Sequence, residues 1–462
     1  MSRFLSASFL PIVVPLAGVA PLLGCSTADS GTIQIVTDTE AGTFTKSPAP
    51  TALRIVAEVG DAGLVLATTQ LPASTIDLGQ LSETSTAVSI QVHGLDPSNT
   101  QRVFGASLPL EYAALAGQTL PIFVQRKGEL ARLPGPLADA RHAPTLALVQ
   151  GEYLLIAGGS DTSLAKTTQL FDFGFFTALT SPPVLPLVPR SIALAGTVAW
   201  LIGDTAGTYF DFSSSATAAL TLPAGGTFAD IAGGATVLDS SGAQYIVGAT
   251  RVTSDATDKV LKIDPSDTSN ASYPYGNTTW ITLTAPRLGA AATWIDGIGL
   301  VVAAGSTAAA GVEHVAPGTA AGLALSQFPA DSTVGAGAAA LDARHLLLAG
   351  GFVGLLADPG VRDLDLGCAP SVGSASCTTT TSWGELPVPL GSAQAFAWAA
   401  PNDALVVGSE FSSGTTHVFR LSATAATEVP TRVPHTNARA AWSPVGSIVL
   451  FGGANVIESF TP

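Results

Sequence analysis

The chain's 462 residues are too many for one ordinary domain and enough to bury a large core. Charged residues make up only 11% of it, and 48 glycines and 31 prolines are scattered through apolar segments, which argues against long helices and for short strands joined by tight turns. With 34 acidic and 19 basic residues the formal charge is −15, a balance that repels phosphate backbones and sets nucleic acid aside as a partner.

Residues 1–24 read as an export signal. Arg3 supplies a short positive region, and Phe4 to Leu23 form an apolar stretch with small polar interruptions. Pro11, Pro15 and Pro21 make it a poor permanent membrane helix, because each removes a backbone donor. The stretch ends Leu22-Leu23-Gly24-Cys25-Ser26, which resembles the lipobox of bacterial lipoproteins. The resemblance implies that Cys25 becomes the lipid-bearing N-terminus, that residues 25–30 are a lipidated linker, and that the membrane is reached through that lipid. Ser26 after the cysteine implies sorting to the outer membrane, facing the periplasm or the surface. Beyond this leader no apolar run approaches the length needed to cross a bilayer.

Residues 31–126 alternate short strands with turn clusters such as Gly60-Asp61-Ala62-Gly63 and Asp96-Pro97-Ser98-Asn99, the pattern of a small antiparallel sandwich. The segment Val88 to Ala106, with its Gly94-Leu95-Asp96-Pro97 turn, resembles the E–F strand pair of fibronectin type III modules and the wider immunoglobulin-like class. The corner tyrosine of that family is missing.

Residues 127–462 are periodic. A short apolar run closing on glycine recurs at Gly158, Gly203, Gly248, Gly305, Gly350, Gly408 and Gly452, at spacings of 45, 45, 57, 45, 58 and 44 residues. The two long spacings hold insertions, Ser254 to Asn277 and the Cys368–Cys377 loop. A period near 45 suits a four-stranded propeller blade. Small-residue strands such as Ala290 to Trp294 precede each run and fit the crowded axis. The unit Val260 to Pro265, Trp280, Pro286-Arg287 and Leu300 to Gly305 resembles the kelch repeat, and Gly158-Gly159, Gly350-Gly351 and Gly452-Gly453 keep its glycine doublet. The expected fold is therefore all-β: a seven-bladed, kelch-like β-propeller behind a small N-terminal β-sandwich. The last unit stops after its third strand, and the segment Glu129 to Leu137 reads as the missing fourth, so pairing the two would close the ring.

Cys368 and Cys377 lie in a Gly/Ser-rich loop with no further His or Cys adjacent, which reads as a disulfide rather than a metal site and is worth roughly 2–3 kcal/mol. Six histidines fall singly, without metal-ligand spacing, although His142, His345 and His435 near strand starts could approach one face. No catalytic motif, metal or cofactor is read from the sequence. Arg141, Arg190, Arg287 and Arg439 each stand just before an innermost strand. The repeat predicts that they point to one mouth of the central channel, where they could hold an anion; otherwise they pair with nearby carbonyls or carboxylates. The expected function is a non-catalytic envelope protein whose propeller loops contact a protein or glycan, with a hydrolase or lyase acting at the axial mouth as the alternative.

Overall fold

Runs of four to seven residues rich in Val, Ile, Leu and Ala, bounded by glycine, become strands throughout the computed structural model. It describes residues 30–462 except 38, 60–61, 81–86, 161–162, 180–183, 196–197, 213–215, 249–254, 268–275, 308–309, 368–378 and 399–402. Cys25, Cys368 and Cys377, and with them the expected lipidation and disulfide, lie outside the described residues.

From residue 130 onward the described residues form seven antiparallel sheets of four strands each. Their first strands are Thr145–Val149, Ser191–Ala195, Ala235–Leu238, Ala291–Ile295, Gly337–Ala340, Ser392–Ala397 and Arg439–Trp442. These lie side by side in chain order, and the last returns to the first, which is the arrangement of a β-propeller. One apolar core fills each gap between neighbouring sheets. Phe451 and Val449 meet Leu154 and Ile156, Leu155 meets Leu201, Trp200 meets Ile246, and Val247 meets Val302. The circuit continues with Val301 against Leu348, Leu347 against Val406, and Val407 against Leu450.

This stacking explains why the repeat was visible as continuous apolar runs. A second strand such as Val198–Ile202 has neighbours on both edges and a sheet against each face, so all five residues are buried and no alternation survives. Burial falls toward the rim: the fourth strand Ala216–Ala219 is exposed along its whole length. The chain closes as expected. Leu130–Arg132 pairs with Glu458–Phe460, register Leu130 to Phe460 and Arg132 to Glu458, so the N-terminal side supplies the outer strand of the last sheet.

The extra length of the unit between Gly350 and Gly408 is only partly the cysteine loop. A two-stranded hairpin, Phe352–Val353 with Leu356–Ala357, leaves the sheet between its second and third strands.

Residues 30–126 form two sheets around one core. A three-stranded sheet holds Ser30–Val36 between Thr75–Gln80 and, in parallel, Thr119–Phe123. The larger sheet runs through Ala62–Gln70, Ala52–Val59, Ala87–Leu95 and Gln101–Ala106 to Gln125–Arg126. Ile33, Ile76 and Ile122 of the first meet Leu53, Ile55, Ile90 and Val103 of the second, a sandwich core. The segment likened to strands E and F is corrected in one respect. Its two strands pair with each other as a hairpin in one sheet, whereas E and F of an immunoglobulin-type sandwich lie in opposite sheets. Asp96 makes that hairpin turn: its Oδ1 accepts from the Ser98 and Thr100 backbone amides and the Ser98 hydroxyl, and its Oδ2 from Arg102 Nε. The Ser98 and Arg102 bonds hold its carboxyl well below the usual range.

The sandwich is fixed to the sheet where the chain closes. Arg126 donates to the carbonyls of Thr43, Lys46 and Pro48, and Lys46 pairs with Glu129 at 2.7 Å. Glu40 takes Arg132 and Arg432, each at 3.3 Å. Beneath these ions Phe123, at the end of a sandwich strand, packs with Leu133, Phe173 and Ile457 in the core between the first and last sheets.

Candidate functional site

The segments that enter the first strands, together with the turns leaving the second strands, make up one face of the propeller. Arg141 and Arg287 each stand four residues before a first strand, and the repeat gives both the same task. Arg287 is fully buried; its Nη1 donates to the carbonyls of Ala304 and Gly311, and its Nε and Nη2 donate to Glu313 Oε1 at 3.1 and 2.8 Å. Arg141, equally buried, donates to the carbonyls of Gly158 and Thr167 and to Asp139. Glu313 also accepts the Thr284 backbone amide, and Gln169, in the matching place of the first sheet, accepts that of Ala138.

The last sheet builds the same clamp from other residues. His435 replaces the arginine, with Nδ1 against the Gly452 carbonyl at 2.8 Å and Nε2 against Glu458 Oε1 at 3.1 Å. Its two partners are of the kinds the arginine meets, a backbone carbonyl and a carboxylate. In the fifth sheet the polarity is reversed. Arg362 takes the place of Glu313 and reaches Asp331 and Thr333. In these four blades the residues pin the entry segment to the blade's own third strand.

The four arginines read from the sequence therefore do not share one role. Arg141 and Arg287 are internal clamps with no exposed surface. Arg190 stands one residue before its strand, about a third exposed, beside Asp204 at 3.3 Å. Arg439 is the first residue of its strand, is half-buried, and makes one long hydrogen bond, 3.4 Å to Ser392 Oγ. The histidines separate likewise. His142 faces the Thr436 carbonyl on the entry face. His345 opens a second strand at the opposite end of its sheet, where Asp342 accepts from it at 2.8 Å and raises its pKa. Near it burial raises the pKa of Asp363. Among the described residues no three His, Cys, Asp or Glu converge as ligands of a metal ion would.

The glycine doublets belong to the same face. Gly453 has φ +75°, and a Cβ on it would lie 2.3 Å from the Thr436 nitrogen. Gly446 has φ +76° but opens onto free space. Gly453→Ala is expected to cost at least about 2 kcal/mol and Gly446→Ala about 1 kcal/mol, measured by denaturant midpoint, since only the first adds a backbone collision to the strained φ.

One feature of this face was missed in the sequence: the hairpin over residues 352–357. Phe352 is bridged to Val334 by a pair of backbone hydrogen bonds and lies edge-on to Phe411, ring centroids 4.8 Å apart. Beyond that anchor Val353, Leu355, Leu356 and Phe411 face water, Leu355 at 85% and Leu356 at 77% exposure. The run Phe352-Val353-Gly354-Leu355-Leu356 was legible as apolar, but nothing in its composition separates a turned-out hairpin from a buried strand.

No protein-family model and no curated protein matches the chain, so the kelch likeness rests on the residues quoted for it. Several solved structures resemble it at low level. A streptogramin B lyase matches at 11% identity and TM-score 0.45, over 71% of this chain and 96% of that one. YCF48 bound to D1 peptide matches at 12% and 0.44, over 72% and 94%. The Pan2 WD40 domain of Neurospora crassa matches at 12% and 0.46, over 72% and 98%. Nothing about ligand or reaction follows from likeness of this order.

Proposed function

We propose that the chain is a lipid-anchored protein of the bacterial cell envelope, held at the outer membrane through Cys25, that binds a protein partner with the entry face of its propeller. In this reading residues 31–126 are a spacer or docking sandwich, and residues 127–462 are a propeller whose seven four-stranded sheets are its blades. The observation that supports binding is the 352–357 hairpin. Aliphatic side chains this exposed, grouped at one tip with Phe411, are costly to leave in water and are typical of surfaces that a partner covers. Their chemistry favours protein over glycan, since there is no polar group among Val353, Leu355 and Leu356 to meet hydroxyls. The clamps support a binding reading as well, because Arg141, Arg287 and Glu313 are committed inside the blades rather than offered to a substrate.

The test is affinity capture with soluble Ser26–Pro462 as bait against solubilised envelope of its host, followed by cross-linking and mass spectrometry. A partner cross-linked near residues 352–357 and 411, and lost from the Leu355→Asp/Leu356→Asp variant, is expected. Because both leucines face water, that variant should unfold within about 0.5 kcal/mol of the parent. Equal capture by parent and variant would remove the hairpin from the interface and the proposal with it.

A further inference from the structure

We propose that the mouth of the axial channel is a binding site for a carboxylate anion, held on Arg439. The inference goes beyond partner binding by the hairpin and stands independently of it.

The first strands of the seven sheets wall the channel, and they are made of Ala, Gly, Ser, Thr, Gln and apolar residues. Arg439 is the single charged residue on them. It sits where its strand begins, at the entry face, and its guanidinium reaches Ser392 Oγ at the start of the neighbouring first strand. Water reaches the side chain, yet protein surrounds it, and burial alone pushes its pKa down from the ordinary guanidinium value. That combination describes a cation in a narrow channel.

What sets Arg439 apart is the lack of a counter-charge. Among the described arginines, all but Arg54 and Arg439 have a carboxylate within 4 Å. Arg54 has the Asn99 amide oxygen at 3.0 Å instead. No described acidic residue pairs with Arg439, and a partly desolvated cation without an anion is unfavourable. A ligand anion would supply the missing negative charge. One guanidinium offers two parallel N–H groups, which match the two oxygens of a carboxylate. The unit charge points the same way, since a doubly charged anion would leave an unpaired negative charge where the wall offers no second cation. The carboxylate could belong to a small free acid or to the C-terminus of a peptide, and the chemistry at Arg439 is the same.

The test is saturation-transfer NMR on the full chain in mild detergent at fixed ionic strength, with sodium acetate as one probe. A short peptide with a free C-terminus is the second, set against the same peptide amidated. Saturable transfer to acetate, or to the free-ended but not the amidated peptide, is expected. Arg439→Gln should weaken it at least about ten-fold, since a charge-assisted hydrogen bond is lost. Arg439→Lys, which keeps the charge without the fork, should bind at an intermediate level and shows that loss in Arg439→Gln is not unfolding. Arg190→Gln, whose guanidinium already faces Asp204, should bind as the parent does. Transfer to neither probe, or equal transfer in Arg439→Gln, would overturn the site. Acetate binding identifies a free acid as sufficient; binding of the free-ended peptide alone identifies a chain terminus.

Discussion

Arg287→Met should destabilise the protein by about 3–5 kcal/mol, the cost of breaking a buried ion pair from one side. The substitution leaves Glu313, with no exposed surface, holding a single remaining donor, the Thr284 amide at 2.6 Å. It also removes the arginine's donors from the carbonyls of Ala304 and Ala310, while the Gly311 carbonyl keeps the Ala304 amide at 2.8 Å. The pair as a whole is a different matter. Two charges drawn from water into a core repay their desolvation poorly, so Arg287→Met/Glu313→Leu, of similar volume and without charge, should recover most of the loss. Arg190→Met, which breaks a partly exposed pair, should cost only about 0–1 kcal/mol. Urea midpoints of the four proteins decide it. A single-mutant loss below about 1 kcal/mol, or a double mutant no better than the single, would show that the clamp does not hold the blade.

That contrast also shows how far the sequence could be read. The blades were legible because their second strands are buried on both faces, which turns Leu346-Leu347-Leu348 or Leu405-Val406-Val407 into unbroken apolar runs at a steady spacing. The closing strand was legible by counting, since a third strand ending at Phe460 and an orphan at Leu130 are each incomplete alone. The roles of the arginines were not. Arg141 and Arg190 both precede a first strand, but one stands four residues before it and the other one residue before it. That offset decides whether the guanidinium reaches the neighbouring carbonyls or the Asp204 carboxylate. A finer alignment of the repeat would have paired Arg287 with Glu313 and His435 with Glu458, because each acid is a buried residue near the start of its third strand. Reversal of the pair at Arg362 and Asp331 hides the rule from any search for a fixed residue type. The hairpin at residues 352–357 escaped for a different reason: whether an apolar run turns inward or out depends on what the neighbouring sheet leaves room for, and that is a tertiary fact.

Phe460→Ala should cost about 3–5 kcal/mol, among the largest losses any single truncation in this chain can produce. The ring has no exposed surface and stands where three strands meet. Its backbone pairs with Leu130 on one side and Ile448 on the other, and its side chain packs with Leu130, Val418 and Leu450 and lies 6.0 Å from the Trp398 ring. Among the described residues only this sheet joins chain segments more than three hundred residues apart, so the pairing here is what turns a row of blades into a ring. Loss of the ring's last side chain weakens the join from both strands at once, and a cavity in so enclosed a place has little freedom to collapse. Deleting residues 456–462 should do more than destabilise. It uncovers the edge of Ile448–Phe451 and frees Leu130–Arg132, two unpaired backbone edges on apolar strands, which is the condition for edge-to-edge association. The deleted protein is therefore expected to elute as oligomers where the parent and Phe460→Ala elute alike. Thr427→Ala, on an exposed outer strand, should change stability by less than about 0.5 kcal/mol. If Phe460→Ala costs no more than Thr427→Ala, or the deleted protein elutes as the parent does, the ring is held elsewhere, with the ion pairs of Arg126, Glu129 and Arg432 beneath the sandwich as the next place to look.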